Sequence, residues 1–378
     1  MNLARLTSAT RVLHVGKFFP PVRGGMENHL HHLVKRLRND VDVRVIVSNT
    51  AGGRVEETVD GVPVVRLPLA FTAGGMPISP GLVEELRRAN ADIIHFHVPN
   101  PGAQIACLIS RPRAKLVATH QHDVTERPLI TRAYHAVERA FFRRQARIIA
   151  AAPENIEFSP VLREFRERAR VIPLGVDPED SRRTPERDRR VKELRTRFGP
   201  RIVLFVGRHV RFKGIHFLIR AMREVEGHLL VGSQGPATEE LRRLSAELGL
   251  ASRVTFTGDI PDGELACYYL AADVFCLPSI SRLEAFGIVQ LEAMSCGVPV
   301  VSTRLETGVV YVNRDGETGL VVPPGDIGAL AAALKRLLGD EALRRKLGEQ
   351  ARARVLREFT HEACARRTLE LYGEILAE

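Results

Sequence analysis

Two glutamates eight positions apart, Glu284 and Glu292, bracket the most chemically informative run of this chain, Glu284-Ala-Phe-Gly-Ile-Val-Gln-Leu-Glu292, which continues into Ala293-Met-Ser-Cys-Gly297. A glycine at a helix entrance lets backbone approach a ligand closely. The free N–H groups of that first turn favour negative charge, so phosphate is the natural guest. A carboxylate two turns in cannot help phosphate, but it accepts hydrogen bonds from sugar hydroxyls. Phosphate and sugar together suggest a nucleotide-sugar. Phe205-Val-Gly-Arg208 followed by Arg211-Phe-Lys213-Gly214 adds the complementary charge. A glycine followed by cations at a strand-to-helix turn suits a pyrophosphate, with Arg forking across two oxygens and Lys supplying a mobile point charge. The glycine pair Gly24-Gly25 can bring N–H groups against a phosphate or an acceptor hydroxyl, although no G-x-G-x-x-G fingerprint is present here.

These residues need rigid elements behind them. In the first half, β-branched runs at 11–16, 43–47, 63–67, 92–97, 115–119 and 147–150 read as strands, with helical patterns at about 26–38, 80–89, 101–110 and 128–145. The second half repeats the alternation. Strands are expected at 202–206, 228–231, 254–256, 274–277, 298–301 and 319–322. Helices are expected at about 213–225, 237–248, 262–271, 286–296 and 326–338, with a helical tail over 341–377. Strands alternating with helices of this length imply parallel sheets covered on both faces. Ile172-Pro-Leu-Gly-Val-Asp-Pro178 and the charged stretch through Arg190 read as a connector. The fold class is therefore α/β, with two doubly wound domains facing each other across a cleft and ligands beyond the carboxyl ends of the strands.

Composition narrows the class. The chain has 378 residues, 44% of them hydrophobic and 26% charged, as in soluble globular proteins. The opening Met1–Thr10 segment lacks the apolar centre of a secretion signal. Five scattered cysteines fit a reduced cytoplasm and have no metal-ligand spacing. The net charge of +10 is uneven: residues 1–178 carry +8 and the rest +2. A basic first half suits an anionic membrane face or a pyrophosphate-bearing lipid. Nucleic acid is not the expected partner, because the few aromatics are not interleaved with the charges as stacking platforms need.

Several histidines and acids are set aside. His29 and His32 share a helical face, read as solvated, since no further ligand completes a metal set. His95 is read as a packed core histidine, while His97, at the strand's carboxyl end, is placed to line the cleft. Asp40-Val-Asp42 has the D-x-D pattern but begins a strand far from the ligand-facing end, so it marks a loop boundary.

The Glu284–Glu292 run resembles the E-x7-E motif of the family 4 retaining glycosyltransferases, and further motifs recur in the family's order over nearly the whole chain. The resemblance implies the GT-B fold, with an acceptor-side Rossmann-like domain over 1–178, a nucleotide-sugar domain over 179–360, and a last helix, about 361–378, returning to the first domain. It implies that Glu292 binds the ribose hydroxyls and that Glu284 faces the transferred sugar. Backbone from Phe286 through Gly287 to Ile288 would touch that sugar's hydroxyls. Arg208 and Lys213 would hold the diphosphate, Thr307 and Gly308 would add a backbone contact, and the loop ending at Ile260 would meet the base. Gly24 and Gly25 match the family's mobile first-domain loop. The family's catalytic histidine falls in Lys115-Leu-Val-Ala-Thr-His120-Gln121-His122-Asp123. An ungapped register on Lys115, Thr119 and Asp123 puts Gln121 there, and a one-residue shift restores His120 or His122. Neighbouring strand positions face opposite sides, so the choice matters and stays open.

The expectation is a cytoplasmic enzyme, associated with the inner membrane face, that moves a hexosyl group from a UDP- or GDP-linked sugar to a glycan or lipid-linked acceptor. By resemblance it retains anomeric configuration and needs neither metal nor cofactor, with Arg208, Lys213, Glu284 and a histidine as the catalytic set. The rival readings are a nucleotide-sugar epimerase of the same shape and a non-catalytic sugar-nucleotide scaffold at a membrane.

Overall fold

The β-branched runs of the first half build an eight-stranded sheet in a computed structural model that describes residues 6–22, 24–50, 52–73, 76–124 and 128–378. The leading residues through Arg5 lie outside the described residues. The chain divides into two compact units, one of Met1–Leu174 with His361–Glu378 and one of Gly175–Thr360.

The first unit contains strands β1 (Arg11–Val15), β2 (Asp42–Ser48), β3 (Val55–Val59), β4 (Val62–Leu67), a hairpin of β5 (Phe71–Ala73) and β6 (Met76–Ile78), β7 (Ile93–Val98), β8 (Lys115–His120), β9 (Arg147–Ala150) and β10 (Ala169–Val171). The large sheet runs β10-β9-β8-β7-β1-β2-β4-β3. All its pairings are parallel except β3 on β4, which corrects the all-parallel expectation. The reason is local: Asp60-Gly61 turns the chain straight back, and Gly61 takes a left-handed φ of 76°.

Helix α1 (Gly25–Leu37) and the last helix of the chain, His361–Ala377, cover one face of this sheet; α2 (Leu82–Arg88), α3 (Pro101–Ser110) and α4 (Pro128–Phe142) cover the other, and α5 (Pro153–Glu157) follows β9. Leu30, Leu33, Val34 and Leu37 of α1 pack into a core with Val12, Val43 and Val45. Each such side chain contributes about 1.5–3 kcal/mol. Asn100 caps α3 by accepting from the Ala103 N–H, and Pro101 occupies the first helical position, where a missing N–H costs nothing.

In the second unit, β11 (Ile202–Val206), β12 (His228–Gly232), β13 (Val254–Gly258), β14 (Val274–Leu277), β15 (Val300–Thr303) and β16 (Gly319–Val322) form a fully parallel sheet in the order β13-β12-β11-β14-β15-β16. Its helices are α6 (Pro185–Phe198), α7 (Ile215–Ala221), α8 (Thr238–Glu247), α9 (Asp262–Ala271), α10 (Ile288–Ser295), α11 (Gly308–Val312), α12 (Ile327–Gly339) and α13 (Glu341–Glu358), and α14 is the last helix, His361–Ala377. Strand order reverses between β11 and β14, which opens a crevice at their carboxyl ends. Helix α6 corrects the reading of 179–190 as connector throughout. Thr184 caps it by accepting from the Arg187 N–H, and its sparse apolar face, Val191 and Leu194, is buried. The expected tail helix is two helices, broken at Phe359-Thr360.

Candidate active site

Four loops of the second unit emerge from the same edge of its parallel sheet. The loop after β11 carries Arg208 and Lys213, the loop after β13 carries Ile260, the loop after β14 carries Glu284 and Gly287, and the loop after β15 carries Thr307 and Gly308.

Lys213 and Glu284 meet directly. The Lys213 Nζ lies 2.6 Å from Glu284 Oε2, and Ser279 Oγ donates to the same oxygen at 2.8 Å. Glu284 is only 6% exposed, so the pair is a buried, hydrogen-bonded ion pair whose breakage without compensation is costly. Gly214 fixes Lys213 from behind. Its φ of 68° is left-handed, and a Cβ there would run into the Pro278 carbonyl. Arg208 is exposed and its side chain has no hydrogen-bond or ion-pair partner among the described residues, which leaves its guanidinium available to an anion.

At the start of α10, Gly287 has φ 72°, and a Cβ would lie 2.7 Å from Leu277 Cδ2 and 2.8 Å from Gln290 Nε2. Only glycine fits there. The Phe286 side chain is buried against Phe359, so backbone is what this turn presents. The Gly308 N–H donates to the Ala285 carbonyl at 2.9 Å, which ties the Thr307-Gly308 turn to the glutamate loop. Thr307 Oγ1 is buried without a hydrogen-bond partner. Ile260 is partly exposed and packs beside Gly232. Glu292, on the second turn of α10, accepts from Tyr269 Oη at 2.7 Å; burial, first of all, pushes its carboxyl above the usual range.

The first unit places Gly24 in extended backbone as the cap of α1 and Gly25 as its first residue, exposed with open space around it. His120 ends β8 with its ring turned toward α4, 6.0 Å from the Phe142 ring. It is 2% exposed, and neither ring nitrogen has a hydrogen-bond partner. Its Nε2 lies 3.5 Å from Asp123 Oδ1 and 3.7 Å from Glu138 Oε1, and burial lowers its affinity for a proton. Gln121 is also buried, with a partnerless amide nitrogen, while His122 is partly exposed and held down to about 4 by burial and by His120 and Lys17. Asp123 accepts from Ser159 Oγ at 2.6 Å.

Sequence reasoning missed Glu138, whose buried carboxyl is pushed up to about 8 by desolvation and then by Asp123. A signal was present: Tyr134, Glu138, Phe141 and Phe142 recur at helical spacing, so one acid sits on the apolar stripe of α4. It also missed Lys17, at the end of β1, whose ammonium is disfavoured by burial.

Two histidine readings need correction. His29 is 6% exposed rather than solvated, because its face of α1 is the one that packs on the sheet. His97 is 1% exposed rather than lining an opening. With His14 and His95 it makes the one cluster of three potential metal ligands among the described residues. Those rings are joined to one another and to α14 instead. His14 Nδ1 lies 3.0 Å from His97 Nε2, and His95 bonds Tyr372 Oη at 2.6 Å and Thr119 Oγ1 at 2.7 Å. The His95 and His97 rings stack at 19°.

Residues 23–180 match the family described as Glycosyltransferase Family 4, and residues 186–354 match Glycosyl transferases group 1. The D-rhamnosyltransferase WbpZ of Pseudomonas aeruginosa is 33% identical over 72% of this chain and 71% of its own. The chain belongs to family 4 of the glycosyltransferases. A GDP-mannose-dependent alpha-(1-6)-phosphatidylinositol monomannoside mannosyltransferase of Mycolicibacterium smegmatis is 30% identical over 87% of this chain and 89% of its own. Among solved structures, sucrose-phosphate synthase from Thermosynechococcus elongatus superposes with a TM-score of 0.79 at 26% identity, over 97% of this chain and 99% of that one. This family 4 enzyme therefore has the GT-B fold, and glycosyl transfer is its chemistry. Among the described residues no helix is long and apolar enough to cross a membrane.

Proposed function

We propose that the enzyme transfers a hexose from a GDP-linked sugar of manno or rhamno configuration to a hydroxyl of a glycan or lipid-linked acceptor, with retention and without a metal ion. The observation that carries the reading is the Arg208 side chain, unpaired among the described residues, in the same loop as Lys213, whose ammonium pairs with Glu284. The donor preference follows two relatives, one named a D-rhamnosyltransferase and one named GDP-mannose-dependent.

In this reading Arg208 forks across the diphosphate and Lys213 turns from Glu284 to the oxygen that becomes the leaving group. The exchange frees Glu284 to accept from a sugar hydroxyl, so one ion pair is converted into two ligand contacts. Glu292 takes the ribose, the Ile260 loop takes the base, and backbone from Phe286 to Ile288 and at Thr307-Gly308 lines the sugar. The C1–O bond to phosphate breaks while a bond from C1 to the acceptor oxygen forms on the same face. The acceptor proton passes to the departing phosphate oxygen. The cations stabilise the charge that builds there, a role in which one donor is typically worth about 3–4 kcal/mol. In the first unit, Gly24-Gly25 at the start of α1 and the segment His120–Asp123 at the end of β8 serve the acceptor side. The +8 charge of residues 1–178 suits a peripheral position on an anionic cytoplasmic membrane face. Membership of a transferase family leaves the epimerase and scaffold readings without support.

Proton NMR of GDP-mannose hydrolysis, with EDTA and no acceptor, tests this. Retention predicts α-mannose as the first-released anomer; β-mannose first, or turnover that returns only with a divalent cation, contradicts it.

A further inference from the structure

The hydrogen bond between Tyr269 and Glu292 joins a buried residue of α9 to a carboxylate that none of the four loops holds. Tyr269 is 2% exposed, and its ring lies 5.6 Å from that of Phe275 in β14, so packing on the central sheet fixes where the phenol points. Its hydroxyl donates to Glu292 Oε2 at 2.7 Å. We propose that Tyr269 is a positioning residue of the nucleotide site, fixing one carboxylate oxygen of Glu292 so that the other is aimed at the vicinal hydroxyls of the ribose. The inference rests on the assignment of Glu292 to ribose.

The chemistry explains why a phenol is needed. Two vicinal hydroxyls are best met by an acceptor-only group, which a carboxylate is when ionised and is not when protonated. The surroundings push the other way. Burial raises the Glu292 carboxyl, and Asp180 and Asp262 raise it further, whereas the Tyr269 bond alone lowers it. Tyr269 keeps its own proton, because burial and the Glu292 charge both disfavour the phenolate. Cys296, at the end of α10, is likewise kept as a thiol by burial. Among the described residues the phenol is therefore the one donor to the carboxylate, and its bond favours the ionised form and fixes its orientation.

Removing the hydroxyl while keeping the ring, in Tyr269→Phe, preserves the packing on Phe275. The test is calorimetric titration of GDP and of UDP into wild type, Tyr269→Phe and Glu292→Gln at about pH 6 and about pH 8, with the 2′,3′-dideoxynucleoside diphosphates alongside. The expected result is a nucleotide affinity about tenfold weaker in Tyr269→Phe, the usual size for a hydrogen bond to a charged group. The deficit should be larger at pH 6 than at pH 8 and absent for the dideoxy analogues. Equal affinity of wild type and Tyr269→Phe at both pH values overturns the proposal while leaving the ribose assignment standing, provided wild type still prefers the ribonucleotide. If wild type binds ribo- and dideoxynucleotides alike and Glu292→Gln has no effect, the ribose assignment fails and Tyr269's role fails with it.

Discussion

At the scale of single residues, the site is a set of charges held in place by other groups. Lys213 is paired with Glu284, so its charge is stored rather than displayed. Lys213→Ala is expected to lower kcat by about a hundredfold to a thousandfold, with a smaller change in the KM for donor, because the missing contact matters most in the transition state. Steady-state kinetics in the two parameters checks this. Glu138 offers a prediction that needs no substrate. The folded protein binds its proton more tightly than the unfolded chain does, with about 8 against 4.5. The stability this confers is complete below about pH 4.5 and is lost as the pH rises through about 8. Glu138→Gln cannot ionise, so its melting temperature should gain on the wild type as the pH is raised from about 5 to about 9. Parallel melting curves for the two proteins would contradict the buried-acid account. Glu284, Glu292, Arg208 and Lys213 were singled out from sequence because the two glutamates frame a Phe-Gly turn and the two cations follow a strand-end glycine, patterns with their own chemical logic. Glu138 and Tyr269 were not, because their partners come from other elements: His120 and Asp123 lie 15 or more positions before Glu138, and Glu292 lies 23 positions after Tyr269.

At the scale of elements, the strands buried on both faces were the easiest to read. Ile202–Val206, Val274–Leu277 and Gly319–Val322 run as read from sequence, since a continuous apolar run has few other places to go. The helix Asp262–Ala271 matches its expectation in both bounds. Misses cluster where tertiary context decides. Val55–Val59 is almost wholly exposed and becomes a strand only through its pairing with β4. Helix α6 is so heavily charged that its two buried residues give little periodicity, and the legible clue was its Thr-Pro-Glu start. Two variants separate the roles of such elements. Thr184→Ala removes the α6 cap and should cost about 1 kcal/mol in a denaturant melt, with nucleotide binding unchanged. Gly214→Ala should both destabilise the protein, through its left-handed φ and the Pro278 carbonyl, and weaken donor binding by displacing Lys213. A Gly214→Ala protein that binds donor like the wild type would show that the turn does not position the lysine.

At the scale of the whole molecule, the chain has two parallel-sheet units with one grammar and unequal charge. The repeat was legible because strand and helix runs alternate twice along the sequence; the division of the chain, with His361–Glu378 in the first unit, depends on packing between α14 and α1 that no local pattern encodes. The charge of the first half predicts binding to phosphatidylglycerol vesicles but not to phosphatidylcholine vesicles, weakening as salt is raised. Co-sedimentation checks it, and equal binding to both lipids would count against a membrane role. The central claim is that a crevice of the second unit holds a nucleotide-sugar through protein cations alone. Calorimetric titration of GDP-mannose in EDTA, into wild type and Arg208→Ala/Lys213→Ala, tests it most directly. The account predicts binding by the wild type that is unchanged by magnesium and at least tenfold weaker in the double variant. Binding that appears only with magnesium, or that the double variant retains in full, would contradict it.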